Sequence, residues 1–223
     1  MHLANLRDDA KIGVISIRLA PEGVYVDGDF MACSPERALE ALKEHLGEAR
    51  SGETSSLYSG ARVEVDTLAT VVVPATYYDN ALAGGYLAVN NMLPEGYVPV
   101  HTQWNDVVMV MSAPADVVSW LQERFGPKVE FLSPLVHALD TDDTAAAFHI
   151  WLTVGNTYIA LWDNELKFAE VLPYTSAADL IYYVSELGAQ YGLIRRKLYL
   201  GGKFDREFIR KLRRVFPKVV PCG

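Results

Sequence analysis

Both halves of the chain carry the same succession of element signals, and this narrows the fold more than any other feature of the sequence. Each half reads as hairpin, third strand, helix, strand, helix, strand. In the first half, Ile12–Leu19 is β-branched and roughly alternating, so a strand is expected there. Pro21-Glu22-Gly23 turns the chain and Val24–Asp27 returns. Ser34-Pro35-Glu36 then supplies an N-cap, a proline at the first helical position and an early acid. Leu39, Leu42 and Leu46 follow at helical spacing. This helix has no counterpart in the expected order and stands as an addition before the third strand, which is expected within Arg62–Val73.

A loop is expected at Ser51–Ser56 and a weak helix at Asp79–Asn90. The continuous apolar run Val107–Met111 marks a strand buried on both faces. A helix carrying Val117, Val118, Leu121 and Phe125 ends at Gly126-Pro127, a strand covers Val129–Leu132, and Ser133-Pro134 opens a short helix. The polar, acidic stretch Asp140–Thr144 divides the chain into 1–143 and 144–223. The second half repeats the succession. Phe148–Val154, Thr157–Trp162 and Leu166–Leu172 read as strands around the tight turns Gly155-Asn156 and Asp163-Asn164. Ser176–Asp179 is a capping box before the stripe Leu180, Ile181, Val184, Leu187 and Tyr191. Lys197–Leu200 is a strand ending in Gly201-Gly202, Asp205 caps a last helix, and Lys218–Val220 closes the chain. Consecutive βαβ units imply right-handed crossovers and a mixed sheet in each half. Two lobes on an acidic linker would leave a cleft, the default place for a ligand.

Half of the 223 residues are hydrophobic, enough for sizeable cores. No apolar run approaches the ~20 residues of a membrane helix, and the first residues carry no signal-peptide pattern, so the cytosol is the expected compartment. Cys33 and Cys222 are expected as reduced thiols. The net charge of −8 disfavours general nucleic-acid binding. It is unevenly spread: Arg195–Lys218 holds ten Lys/Arg against two acids, a local +8, so the remainder carries −16.

A set of ordered motifs adds a resemblance: Val71-Val72-Val73-Pro74, Val107–Met111 leading into Ala113-Pro114, Leu161–Leu166, Tyr182-Tyr183-Val184 and Leu198–Gly202. On these, from about Leu68 onward, the chain resembles an uncharacterised family of Bacteroidetes-type bacterial proteins, domain of unknown function 3822. That family looks like a degenerate relative of the actin, hexokinase and Hsp70 ATPases. The resemblance implies an α/β fold of two ribonuclease-H-like lobes of the actin/Hsp70 ATPase type with an interlobe cleft.

Such ATPases place an Asp on the first strand of each lobe, before a turn whose N–H groups grip phosphate, and the carboxylates hold Mg²⁺. Here the first strand has no Asp, Pro21 removes a donor and Glu22 adds negative charge where phosphate would bind. In the second lobe the Asp-x-Gly pattern becomes Thr153-Val154-Gly155. Gly155, Asn156 and Thr157 keep the turn, and Gly201, Gly202 and Lys203 match the adenosine element in type and position. These six are the candidate nucleotide-binding residues. No catalytic residue or metal site is expected, and no cofactor beyond a relic affinity for ATP. The histidines are scattered and read as structural, and the acids Asp140, Asp142 and Asp143 lack calcium-loop spacing. The last helix turns Phe208, Ile209, Leu212 and Val215 inward and Arg206, Arg210, Arg213 and Arg214 outward, a docking face for an acidic protein partner or a second copy. The expected function is a non-catalytic binding or scaffold role, a pseudo-ATPase. The alternatives are a weak ATPase or nucleotide sensor, and an RNA-associated protein using the basic helix.

Overall fold

The computed structural model describes residues 13–47, 58–140, 147–192 and 197–222. Ile12, the loop at Ser51–Ser56, the linker from Thr141 to Thr144, and Arg195 and Arg196 lie outside the described residues. The chain forms two compact units, Met1–Ser133 and Pro134–Gly223.

In the first unit, β1 (Val14–Ala20) alternates as expected, with Ile15, Ile17 and Leu19 inward. β2 (Gly23–Val26) returns antiparallel to it. The third strand is β3 (Asp29–Ala32), antiparallel to β2. Asp27 (φ 46°) and Gly28 (φ 96°) turn the chain between them, a two-residue loop whose positive φ values suit the twist of a hairpin. This corrects the sequence expectation. The helix α1 (Ala38–Leu46) follows the third strand and is not an addition. The stretch expected to hold the third strand instead begins with β4 (Gly60–Val65), which runs parallel to β1. β8 (Val129–Leu132) lies parallel to β4, giving the order β3-β2-β1-β4-β8.

The real addition is a second sheet. β5 (Thr70–Pro74), β6 (Tyr97–Trp104) and β7 (Val107–Pro114) pair antiparallel in the order β5-β7-β6, with α2 (Ala83–Ala88) between β5 and β6. β7 is buried on both faces because two cores claim it. Met111 and Ala113 join the main core, while Val108 and Val110 pack with Val73, Ala83 and Leu87. α3 (Ala115–Phe125) then leads to β8, ending where Gly126 takes φ 60°. Leu42 from α1 and Val117 and Leu121 from α3 are fully buried with Ile15, Ile17 and Val63. Each such side chain contributes about 1.5–3 kcal/mol by leaving water.

The second unit opens with a short helix, α4 (Val136–Leu139), which packs on β9 (Ala147–Leu152) and β10 (Asn156–Trp162). Next come β11 (Leu166–Pro173), α5 (Ala177–Gln190), β12 (Lys197–Gly202), α6 (Arg206–Leu212) and β13 (Lys218–Pro221). The sheet order is β11-β10-β9-β12-β13. β10 is antiparallel to β9 and β11, whereas β12 is parallel to β9 and β13. This matches the first unit strand for strand, with α5 and α6 in the places of α1 and α3. Both caps expected here form: Ser176 accepts from the Asp179 N–H and Asp205 from the Phe208 N–H. Phe148, Ile150, Val184, Leu200, Leu212 and Phe216 belong to the unit's own core.

Candidate functional site

Ligands of α/β sheets gather at the carboxyl ends of the parallel strands. In the first unit those are the ends of β1 and β4, tied by the Asp66 N–H donating to the Leu19 carbonyl at 2.8 Å. Arg18 occupies this place. Its Nη2 lies 3.5 Å from Glu22 Oε1 and 3.4 Å from Asp66 Oδ2, and its Nε lies 3.7 Å from Glu64 Oε1. The guanidinium also sits 4.7 Å above the Tyr25 ring, whose hydroxyl donates to Glu22 at 3.0 Å. The Asp66 side chain has no exposed surface. One cation is thus ringed by three acidic side chains at the strand ends. Only Glu22 of these was singled out in the sequence. Glu64 and Asp66 share one signal: they stand at or just beyond the end of β4, the strand that leads out of this sheet.

In the second unit all six sequence-predicted residues meet at one end of one sheet. Gly155 lies in the β9–β10 turn, and Asn156 and Thr157 open β10, both of them buried. Thr153 stands where the resemblance leads one to expect a carboxylate. Its hydroxyl bonds within the turn, accepting from the Asn156 N–H at 3.1 Å and donating to the Asn156 carbonyl at 3.2 Å. The Thr153 N–H donates to that same carbonyl at 2.9 Å, and the Tyr174 N–H donates to the Gly155 carbonyl at 2.8 Å. Beside this turn, Gly201 and Gly202 of β12 pair with Trp151 and Leu152, and the Lys203 N–H donates to the Leu152 carbonyl at 2.8 Å.

The glycine pair has a local cause. A Cβ on Gly201 would lie 2.4 Å from Trp151 Cε3, and one on Gly202 would lie 2.0 Å from the Leu152 carbonyl oxygen, at φ +85°. The neighbouring strand itself therefore demands glycine at both positions. Next to Lys203, a cavity of about 360 Å³ is lined by Tyr174, Phe204, Asp205 and Lys211 among others. That is near the lower bound for a small-molecule pocket.

Two of the histidines stack on aromatic rings, His137 on Trp151 at 4.1 Å and His149 on Tyr199 at 4.6 Å. Cys33 and Cys222 are free thiols. Among the described residues there is no group of three or more His, Cys, Asp or Glu able to hold a metal ion. Nor is any described helix long and apolar enough to cross a membrane. On α6, Phe208 and Leu212 are buried while Arg206 and Arg210 are exposed, as are Arg213 and Arg214 in the turn that follows it.

The fold defined by these sheets is that of the actin-like ATPases. A protein of unknown function with this fold from Bacteroides thetaiotaomicron VPI-5482 is 16% identical, with a TM-score of 0.75 over 96% of this chain and 91% of that one. The chain belongs to the family described as "Protein of unknown function (DUF3822)", whose model matches residues 26–214. Two further structures are similar at lower scores. The cytoplasmic domain of EpsL, an inner membrane component of the Vibrio cholerae type II secretion system, is 11% identical, covering 94% of this chain and 89% of that one, TM-score 0.42. The AlfA filament from Bacillus subtilis plasmid pLS32 is 9% identical, covering 94% and 91%, TM-score 0.38. Comparison with curated proteins finds no significant match.

Proposed function

We propose that this protein is a non-catalytic binding or scaffold module, an actin-like fold that does not turn over nucleotide. The observation that carries the reading is the cluster at the ends of β1 and β4. Glu22, Glu64 and Asp66 surround Arg18, so incoming triphosphate meets carboxylates where it needs N–H donors and a metal. The second unit supports it, because Thr153 replaces the carboxylate and bonds within its own turn. Mg²⁺ then has no protein anchor at that turn.

One observation favours a second reading, nucleotide sensing without hydrolysis. Six residues of a nucleotide-binding type lie together at one sheet end beside a small cavity that includes Lys203. The test is steady-state phosphate release from Mg-ATP, with nucleotide affinity measured by calorimetry on the same sample. The expected result is release no faster than buffer alone. Turnover that stays with the protein through purification and is lost in Lys203→Met would overturn the proposal. Binding without turnover would select the second reading.

A further inference from the structure

Two exposed charged stripes, each of three residues four apart in sequence, lie one in each unit. The basic stripe is Arg206, Arg210 and Arg214, four residues apart; Arg213, between the last two, keeps helical backbone at φ −63°, ψ −15°. The acidic stripe is Glu36, Glu40 and Glu44, also four residues apart, along the 3₁₀ turn Pro35–Arg37 and α1. In each stripe the central member is already paired on its own helix, Glu40 with Arg37 at 3.0 Å and Arg210 with Glu207 at 3.8 Å. Among the described residues the outer members, Glu36, Glu44, Arg206 and Arg214, hold no ion pair. Within α1, Glu40 and Glu44 stand about 6 Å apart along the axis, as do Arg206 and Arg210 within α6. The half-buried Lys43 lies beside the acidic stripe and tempers it.

We propose that the basic stripe of one molecule docks on the acidic stripe of a second copy, with Arg206 and Arg214 facing the two outer glutamates. A second copy is the occupant because the charge that complements the +8 segment is the −16 carried by the rest of this same chain. The inference gives a partner to the binding role proposed above and rests on that reading. ATP turnover tests the chemistry and self-association tests the partner, so either can fail alone.

Contacts between exposed charges are screened over about 8 Å at physiological salt, so association should weaken as salt rises. Sedimentation of the full chain at about 20 mM and about 500 mM salt should show self-association that weakens about tenfold or more across that range. Arg206→Glu with Arg214→Glu should be monomeric, and so should Glu36→Arg with Glu44→Arg. An equimolar mixture of the two variants should associate again, since each then presents the charge the other lacks. If the glutamate variant does not fold, Arg206→Gln with Arg214→Gln replaces it and should lose association without restoring it in the mixture. A wild type that stays monomeric at low salt overturns the proposal. So does association that the variants leave unchanged, or folded charge-swapped variants that fail to associate when mixed.

Discussion

Tyr183 on α5 donates its hydroxyl to Glu170 of β11. Burial first, and the neighbouring carboxylate second, push its phenol well above its usual range. The folded state therefore keeps a proton that the unfolded chain releases near pH 10. The sign follows: this stabilisation is fully present below about pH 10 and is lost as pH climbs toward the folded value. Melting temperatures of wild type should fall faster above about pH 10 than those of Tyr183→Phe. Parallel profiles for the two proteins would refute the assignment. At the same scale, the glycine pair at 201 and 202 was plain in the sequence but its cause was not. The Trp151 ring and the Leu152 carbonyl that exclude a Cβ come from a strand some fifty positions away along the chain. Glu64 and Asp66 are hidden for a related reason, since they come beside Arg18 and Glu22 only when β1 and β4 pair.

Most elements could be read because they carry a strong period or a cap. α3 lies where its apolar spacing puts it, and α5 and α6 where apolar spacing and their caps put them. β3 escaped because it is a four-residue edge strand with three exposed positions and no apolar alternation. Its usable signal was the Asp27-Gly28 pair, a strong hairpin mark. Without it, β4 takes the third strand's place in the order and α1 becomes an apparent extra, although both lie where the sequence puts them. β6 left no clear mark, because its side chains are mostly half-exposed and Pro99 interrupts it. If α1 is the counterpart of α5 and not an appendage, its inward face must be structural. Leu42→Ala should then cost about 2–5 kcal/mol in denaturant unfolding, the usual cost of emptying a buried leucine site. A cost below about 1 kcal/mol would mean the helix is peripheral.

Each unit encloses a core of its own, and the two halves of the chain follow one topology. Calorimetry of the full chain should therefore give a van't Hoff enthalpy smaller than the calorimetric one, the mark of more than one cooperative step. Equal enthalpies would show that the chain melts as a single body. The units differ most at one junction. In the second, only residues 203–205 separate β12 from α6. In the first, the same junction between β4 and α3 holds the whole β5–β7 sheet. The chain leaves and returns there at nearly one point, with the Ser112 N–H donating to the Ala69 carbonyl at 3.0 Å. Such an excursion leaves the host register untouched, since β4 still pairs with β8 from Ala61 opposite Val129. Closing a longer loop costs only slowly more. The fold thus has a natural growth point between β4 and α3, where added chain leaves the strand order of both halves unchanged.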